Sequence, residues 1–252
     1  MRTAVISGGA GGLGRALARR LQAGGWRTVL VDLDVTGLET DALQWPVRCD
    51  LTDPLQRSRV FAEIIAREPE IGLVVYNAGI TQIGAFEDTD EATHRKVFEV
   101  NYFAAVEMAR AFLHAVRRTG GTHLAISSVA GFAPLRHRTA YAASKHALEG
   151  FFASLRSEEA PFGVSTLIAA PSFVATNVGN EQRQPDGTAR PGSAGDGIDY
   201  MSPDAAARII LRGVERGMPM IPVGRVARLS WWINSLSPRL YRRLMERSVG
   251  GR

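Results

Sequence analysis

The chain has 252 residues, of which 45% are apolar and 22% charged, a balance that suits one large globular domain. A single cysteine, Cys49, excludes an internal disulfide and any cysteine-based metal cluster, and no His, Cys and Asp grouping has metal-ligand spacing. We therefore expect no required metal. We also expect a cytoplasmic protein, because the apolar run after Met1 is too short for a signal peptide or a membrane span.

The positive charge is concentrated at one end of the chain. The net charge is +5, but residues 225–252 alone hold seven Arg and one Glu, so the rest of the chain carries a net charge of −1. A neutral domain with a basic tail argues against uniform nucleic-acid binding. Only two of the 30 basic residues are lysines, Lys96 and Lys145.

Short apolar segments alternate with helical patterns along the chain. The predicted strands are 3–7, 28–32, 46–51, 72–78, 122–128 and 164–170, and the predicted helices are 12–24, 54–67, 91–117, 140–159 and 203–216. This alternation predicts an α/β fold with a parallel sheet and helices on both faces. Residues 177–202 are rich in Gly, Pro and polar side chains, which is typical of a substrate lid or of a disordered segment.

The first strand runs into a glycine-rich turn and then a helix. Gly9, Gly11 and Gly14 satisfy G-x-G-x-x-G, while Gly8, Gly12 and Gly14 satisfy G-x-x-x-G-x-G. In either frame, the missing side chains let a pyrophosphate approach backbone N–H groups at the positive end of the helix. The alternative is a merely flexible turn, which the strand before it and the helix after it make unfavourable.

A carboxylate at the end of the second strand bears on the choice of cofactor. Asp32 lies 18 residues after Gly14, where a carboxylate accepts hydrogen bonds from the adenosine ribose hydroxyls and repels a 2′-phosphate. The flanking Gly11 and Leu33 are uncharged, so NAD is favoured over NADP. Arg15 is the one cation near this position, although an Arg at the start of a helix is more often solvated.

The third and fourth strands end in two further candidates. Asp50 is placed to reach the adenine amino group, or else it caps the helix that begins near Pro54, for which Asp53 is the better candidate. Asn77, Ala78 and Gly79 close the fourth strand with small residues, where the backbone must approach adenine or ribose closely.

Three side chains predict the reactive end of a site. Ser128 ends the fifth strand, Tyr141 follows 13 residues later, and Lys145 lies four residues beyond, on the same helix face. A phenol with a pKa of about 10 is too weak a base at neutral pH. A compact ammonium beneath it would stabilise the phenolate and also reach ribose hydroxyls, which a planar guanidinium does less well.

These motifs together resemble the short-chain dehydrogenase/reductase family, in its compact single-domain branch, over about residues 1–225. The sequence "SGGAGGLG" resembles the cofactor glycine motif with Ser7 where Thr is commoner, and "YNAG" resembles N-N-A-G with Tyr76 in place of the first Asn. The segment "VNYF" places Asn101 at the family's Asn, and "YAASK" is the Y-x-x-x-K motif. The segment "PSFVAT" resembles P-G-x-x-x-T, with Ser172 where Gly is usual.

The resemblance implies a Rossmann-type, doubly wound, parallel seven-stranded sheet in the order 3-2-1-4-5-6-7. It implies NAD-dependent hydride transfer between nicotinamide and a secondary alcohol or ketone, with NADP the less favoured cofactor. In this scheme Tyr141 is the acid/base, Lys145 tunes it, Ser128 orients the substrate, and Asn101 holds a water in the proton relay. A homodimer or homotetramer built on the helices near 91–117 and 140–159 is also implied.

The resemblance also assigns the nicotinamide cofactor to a set of motif residues. They are Ser7, Gly8, Gly12, Leu13, Gly14, Asp32, Asp50, Leu51, Asn77, Ala78, Gly79, Tyr141, Lys145, Pro171, Val174 and Thr176. One rival is a regulator that senses NAD(P) on this fold without catalysis, although such proteins typically lose the Tyr or the Lys. A second rival, an epimerase or dehydratase of the longer branch, needs a substrate domain for which 252 residues leave little room.

The basic tail, residues 226–252, is predicted to be an amphipathic helical extension that Pro238 divides into two helices. Its apolar stripe consists of Leu229, Trp232, Ile233, Leu236, Leu240, Leu244 and Met245. The stripe packs on the domain or on a second subunit, covers an apolar cleft together with 177–202, or contacts an anionic membrane surface peripherally. The last two alternatives favour an apolar substrate such as a steroid, a retinoid or a long-chain alcohol.

His137 either lines the substrate pocket or is an exposed loop residue, and His123 has no expected chemical role.

Overall fold

The structure, a computed structural model, describes residues 1–177, 183–192 and 200–249, with side chains described as far as Leu244. Its strands are β1 (Thr3–Ser7), β2 (Arg27–Asp32), β3 (Gln44–Arg48), β4 (Ile71–Tyr76), β5 (Thr81–Gln82), β6 (Thr122–Ile126), β7 (Ser165–Pro171), β8 (Thr188–Ala189) and β9 (Met220–Val223). Its α-helices are α1 (Gly12–Ala23), α2 (Pro54–Arg67), α3 (Glu91–Phe98), α4 (Ala104–Thr119), α5 (Thr139–Glu159), α6 (Pro203–Glu215), α7 (Arg225–Leu236) and α8 (Pro238–Val249).

Seven of the strands form one parallel sheet in the order β3-β2-β1-β4-β6-β7-β9. Numbered within that sheet alone, this is the order 3-2-1-4-5-6-7, so the predicted fold class is confirmed. The strand order reverses direction between β1 and β4. In such sheets the crevice outside the carboxyl ends of the strands, at this reversal, is where ligands bind.

Each face of the sheet is covered by its own apolar core. Strand residues such as Val5 and Val74 face a core built with α2, α4 and α5, whereas Ile6 and Leu30 face a core built with α1 and α6. Alternate residues of a strand point to opposite faces, so strands buried on both sides must be almost continuously apolar. The two cores hold the carboxyl ends of β1, β4 and β6 in fixed register beside one another.

The helix starts follow local capping chemistry. The Asp53 side chain accepts hydrogen bonds from the amides of Leu55 and Gln56 at 2.9 and 3.1 Å, with Pro54 in the first turn of α2. Asp53 is thus the cap, as its position relative to Pro54 predicts. No side chain caps α1, whose flanking residue is Gly11. The first turn of α1 therefore presents uncapped backbone N–H groups.

The predicted helix over 91–117 is interrupted in the structure. Helices α3 and α4 are joined by a π-helical turn, Glu99–Phe103, and this turn contains Asn101. A π turn inserts an extra residue into the helix, which shifts the direction of the following side chains. The Asn101 side chain is buried as a result, and the hydrophobic period alone does not reveal this interruption.

Part of the predicted lid packs on the domain. β8 pairs antiparallel with β5, and Lys96 donates to Asp186 Oδ2 at 2.6 Å and to Thr188 Oγ1 at 3.1 Å. The second lysine of the chain therefore holds residues 186–188 against α3. The remaining parts of the lid segment, 178–182 and 193–199, lie outside the described residues.

The tail forms two helices, as the position of Pro238 predicts. Ala227 and Tyr241 are buried against the short 3₁₀ turn Val129–Gly131 and Ala133, and Asn234 donates to the Phe132 carbonyl at 2.7 Å. Most of the predicted apolar stripe faces solvent, because helix periodicity turns the smaller residues of α7 toward the 3₁₀ turn. Among the described residues, no helix is long and apolar enough to cross a membrane.

Candidate active site

The glycine turn after β1 forms one end of a cleft of about 790 Å³. Gly8 has a φ of +63°, and a Cβ on it would lie 2.9 Å from the Ala78 Cα. A Cβ on Gly12 would lie 2.5 Å from the Thr176 carbonyl oxygen. The turn therefore needs glycine at both positions to fit against β4 and against the segment after β7, while the uncapped start of α1 faces the cleft.

Asp32 ends β2 at this same end of the cleft. Its carboxylate accepts hydrogen bonds from the Ala10 amide at 3.0 Å and the Asp34 amide at 3.4 Å. The Ala10 bond fixes the carboxylate against the glycine turn. Leu33 and Arg15 also line the cleft here, and the buried Arg15 Nε has no hydrogen-bond partner among the described residues.

The end of β4 is tied to the turn by hydrogen bonds. The Ser7 hydroxyl accepts from the amides of Asn77 and Ala78 at 3.0 and 3.2 Å, and Asn77 Nδ2 donates to the Gly8 carbonyl at 2.9 Å. These bonds hold Asn77, Ala78 and Gly79 along the cleft floor. Ser7 itself does not line the cleft, so in the structure it anchors the two strand ends.

Asp50 lies in the cleft wall after β3. Its carboxylate accepts from the Thr52 amide at 2.8 Å and the Thr52 hydroxyl at 2.7 Å, which closes a turn ahead of α2. The capping of α2 falls to Asp53 instead. Asp50 is therefore left facing the cleft beside Leu51.

The three side chains predicted to be reactive lie together at the other end of the cleft. Ser128 follows β6, while Tyr141 and Lys145 project from the first turns of α5. Lys145 Nζ donates to the Ile126 carbonyl at 2.9 Å and lies 5.9 Å from the centre of the Tyr141 ring. The structure thus brings together three residues, the first and last of which are 17 positions apart in the sequence.

Asn101 supports this cluster from beneath and does not line the cleft. Its Oδ1 accepts from the Ile80 amide at 2.8 Å, and its Nδ2 donates to the Ile80 carbonyl at 2.9 Å and to Ser144 Oγ at 2.9 Å. The side chain links the loop after β4 to α5, one residue before Lys145. Its polar atoms are therefore committed to positioning the backbone on both sides of the reactive cluster.

Burial dominates the electrostatics of the cluster. Burial raises the pKa of the Tyr141 phenol, while the hydrogen bond with Ser128 and the charge of Arg138 oppose that rise. Burial lowers the pKa of Lys145 to about 8, against the charge of Glu149, which favours the ammonium. Both shifts arise because the charged form loses hydration in the interior. The ammonium of Lys145 is thus easier to deprotonate than that of an exposed lysine.

The segment after β7 closes the site. Pro171, Val174 and Thr176 line the cleft, and the Thr176 hydroxyl donates to the Pro191 carbonyl at 2.7 Å. Ser172 donates to the Val223 carbonyl at 3.3 Å, and its amide also bonds that carbonyl at 3.1 Å. The Ser found where Gly is usual therefore pairs with β9.

Gly14 is the other proposed cofactor residue that does not line the cleft. A Cβ on Gly14 would overlap the Gly8 carbonyl oxygen, so this glycine serves the close packing of α1 on the turn. The remaining residues of the cofactor set, including Leu13, do line the cleft.

The two histidines considered in the sequence, His137 and His123, lie at the cleft and in the core respectively. His137 is exposed, has a φ of +58°, and lines the cleft. His123 is buried, and its Nδ1 lies 2.6 Å from the Tyr76 hydroxyl, while burial lowers its pKa to about 4. Within the described part of the chain, no group of three or more His, Cys, Asp or Glu side chains is placed to hold a metal ion.

Comparison with known proteins decides the family. A family profile described as short chain dehydrogenase matches residues 2–187. The chain belongs to the short-chain dehydrogenase/reductase family. Among its relatives in this family is dehydrogenase/reductase SDR family member 7B. The Xenopus laevis protein is 30% identical over 96% of this chain and 80% of its own length, and the Bos taurus protein is 32% identical over 96% and 79%.

Solved structures of short-chain dehydrogenases have the same architecture. One from Streptomyces avermitilis has a TM-score of 0.84 and 27% identity, covering 100% of this chain and 99% of its own. One from Burkholderia cenocepacia, solved in complex with NADP, has a TM-score of 0.84 and 23% identity, covering 97% and 99%. The second likeness bears on the fold alone.

In this short-chain dehydrogenase/reductase, a half-buried carboxyl, that of Glu149, lies beside the cluster and outside the family motifs. Ser127 Oγ donates to Glu149 Oε1 at 2.6 Å, and a Cβ on Gly131 would overlap both side chains. Burial raises the pKa of Glu149, against the Ser127 hydrogen bond. Glu149 lies one helical turn after Lys145, and Ser127 directly precedes Ser128. Those two spacings are the sequence signal that would have identified the pair.

Proposed function

We propose that the chain is a nicotinamide-dependent oxidoreductase that interconverts a secondary alcohol and a ketone. The observation that carries this proposal is one continuous cleft of about 790 Å³. The glycine turn and Asp32 lie at one end of it, and Ser128, Tyr141 and Lys145 lie at the other. Its volume falls in the upper part of the range of about 300–1,000 Å³ that is common for ligand sites.

The residues of the cleft fit a dinucleotide. The side-chain-free turn and the uncapped first turn of α1 supply backbone N–H groups for a pyrophosphate. The Asp32 carboxylate is placed for ribose hydroxyls, while Asn77 to Gly79 offer a close backbone surface. When bound, the nicotinamide supplies the acceptor or donor of a hydride.

The chain itself handles the proton. The substrate oxygen lies between the hydroxyls of Ser128 and Tyr141, and Tyr141 Oη takes or gives its proton. Burial raises the pKa of the Tyr141 phenol and so disfavours the phenolate. Lys145 must therefore stabilise the phenolate with its nearby ammonium. Asn101 and Glu149 fix the elements on either side of this pair.

NAD is the cofactor that the Asp32 carboxylate favours, because it competes with a 2′-phosphate for the same space. Arg15 would instead favour NADP, because a guanidinium can bind a 2′-phosphate. It lines the same end of the cleft, and its buried Nε lacks a partner among the described residues. We give Asp32 the greater weight, because its hydrogen bond to Ala10 holds it at the turn.

An apolar substrate, of the steroid, retinoid or long-chain alcohol type, is supported by the mouth of the cleft. Leu135, Phe173 and Tyr200 line it, with the Phe173 and Tyr200 rings 5.7 Å apart between centres. None of the described tail residues, 225–244, lines the cleft. The apolar side chains of the cleft therefore all come from the domain before residue 225. We propose that residues 1–225 carry the activity, that 177–202 form the substrate lid, and that 226–252 form an extension.

The test is NADH absorbance with a panel of alcohols and ketones. We expect Tyr141→Phe to reduce turnover by about 100-fold or more, the usual contribution of an acid/base. Tyr102→Phe is the matched control, because it removes a hydroxyl outside the cleft. NADH binding without turnover in the wild type would favour the regulatory alternative, and faster turnover of small polar alcohols would refute the apolar substrate.

We also propose a homodimer or homotetramer formed through α4 and α5. Phe103, at the start of α4, is 49% exposed and borders a surface groove with Phe98. An exposed aromatic beside a groove is typical of an interaction surface. Light scattering of wild type and Phe103→Ser tests it, and we expect the variant to have a smaller mass. A monomeric wild type would refute the proposal.

A further inference from the structure

The tail exposes an unusual concentration of large apolar side chains. Among the described residues, thirteen large apolar side chains are exposed, and five of these lie within the sixteen positions 229–244. They are Leu229 (62% exposed), Trp232 (59%), Leu236 (79%), Leu240 (49%) and Leu244 (44%). Scattered apolar residues on a surface need no explanation, but such a run does.

These side chains point away from the domain on both helices. The opposite faces of α7 and α8, through Ala227 and Tyr241, pack on the 3₁₀ turn Val129–Gly131. Because both helices bury one face against the same turn, their exposed rows are turned outward. Neither the core nor the cleft covers them in the described part of the chain.

The charged side chains described on α7 and α8 are all arginines. Arg225 and Arg228 are exposed on α7, and Arg239 and Arg243 are exposed on α8 beside Leu240 and Leu244. The chain contains no Asp or Glu between Glu215 and Glu246. A surface with Trp and Leu, whose described charges on both helices are arginines, is complementary to an interface that is apolar inside and anionic outside.

We propose that α7 and α8 form a docking surface for anionic phospholipid membranes, lying in the plane of the interface. Each helix has 12 residues, too few to span a bilayer, so the apolar rows enter only the headgroup boundary. The arginines then contact lipid phosphates and carboxylates. A second copy of the chain fits less well, since bringing two such surfaces together would place arginine against arginine. This inference goes beyond the proposed function and does not depend on it.

Vesicle flotation of the full chain tests the proposal. We expect binding to phosphatidylcholine vesicles that contain phosphatidylserine, little binding to phosphatidylcholine alone, and release at high salt. Each arginine near an anionic surface strengthens binding about fivefold, so Arg239→Glu with Arg243→Glu should weaken it at least about 25-fold. Trp232→Ser with Leu236→Ser should abolish it, and wild-type binding should shift the tryptophan emission to the blue.

Matched controls lie on α2. Leu55→Ser with Arg59→Glu changes an 84% exposed leucine and an exposed arginine elsewhere, so vesicle binding should be unchanged. Circular dichroism establishes that each variant folds. Equal binding to neutral and anionic vesicles, or no vesicle binding by the wild type, would overturn the proposal. The proposal would also be overturned if the wild type formed an oligomer that did not bind vesicles and if Trp232→Ser with Leu236→Ser dissociated that oligomer.

Discussion

Replacing Lys145 by methionine should stabilise the protein while removing its activity. Burial lowers the pKa of Lys145 from 10.5 to about 8, so the folded state holds this ammonium less well than the unfolded chain does. A fall of about 2.5 in pKa, at about 1.4 kcal/mol for each pKa unit, corresponds to a cost of about 3 kcal/mol at neutral pH.

Methionine is close to lysine in length and carries no charge. The substitution also removes the hydrogen bond to the Ile126 carbonyl, 2.9 Å long, which contributes about 1–2 kcal/mol. We therefore expect Lys145→Met to raise the free energy of unfolding by about 1–2 kcal/mol at pH 7, with turnover lost. Urea unfolding measures the first quantity and NADH absorbance the second.

The pH dependence gives the sharper test. The unfolded chain binds more protons at Lys145 than the folded chain does between pH 8 and 10.5, so wild-type stability from this group rises with pH across that window. The cost is fully present below pH 8 and absent above 10.5. Lys145→Met lacks this rise, so its advantage over the wild type should shrink from pH 8 toward pH 10.

Lys96→Met is the matched control. The Lys96 side chain is 49% exposed in its ion pair with Asp186, so its loss should cost at most about 1 kcal/mol, with no gain at pH 7. Two results together would contradict this prediction. Lys145→Met would be less stable than Lys96→Met at pH 7, and the free energy of unfolding of Lys145→Met would rise between pH 8 and 10 as steeply as that of the wild type.

Four further substitutions test the cofactor end of the cleft and the cap of α2 beside it. Asp32→Ala should weaken NAD binding and relax the bias against NADP, measured as the ratio of the two KM values; a wild type that already prefers NADP would contradict the carboxylate argument. Gly14→Ala should lower stability by about 1–3 kcal/mol and weaken cofactor binding, since its Cβ would overlap the Gly8 carbonyl oxygen. Asp53→Ala should cost about 1 kcal/mol in thermal unfolding with cofactor affinity unchanged, whereas Asp50→Ala should weaken cofactor binding because Asp50 lines the cleft.

The parallel sheet could be predicted closely because its physical cause is local. Strands buried on both faces are almost continuously apolar, so the predicted segment 3–7 coincides with β1 and the segment 28–32 lies within β2. Asp53 and Pro54 mark the start of α2 through hydrogen bonds within one turn of chain. Such signals need no knowledge of the rest of the fold.

Features that depend on distant contacts could not be predicted in the same way. The π turn at Asn101 places its side-chain amide within hydrogen-bonding distance of Ile80 and Ser144, which lie 21 and 43 residues away. The pairing of β5 with β8 joins segments about a hundred residues apart, and neither is long enough to show a strand pattern. The apolar residues of the tail recur with a clear helical period. The period alone does not reveal which face of α7 and α8 packs on the domain and which faces solvent.

The rarity of lysine in this chain has a physical explanation at position 145. A guanidinium keeps its proton at any pH that the protein meets, so an arginine here would carry the full cost of a buried charge with no means of relieving it. The Lys145 side chain is also buried, with a relative exposure of 4%. A lysine here loses that cost as the pH rises above its lowered pKa of about 8, whereas an arginine keeps it. Its ammonium also ties α5 to the carbonyl of Ile126, two residues before Ser128. The same atom that we propose to tune Tyr141 therefore links the helix of Tyr141 to the last residue of β6, just before Ser128.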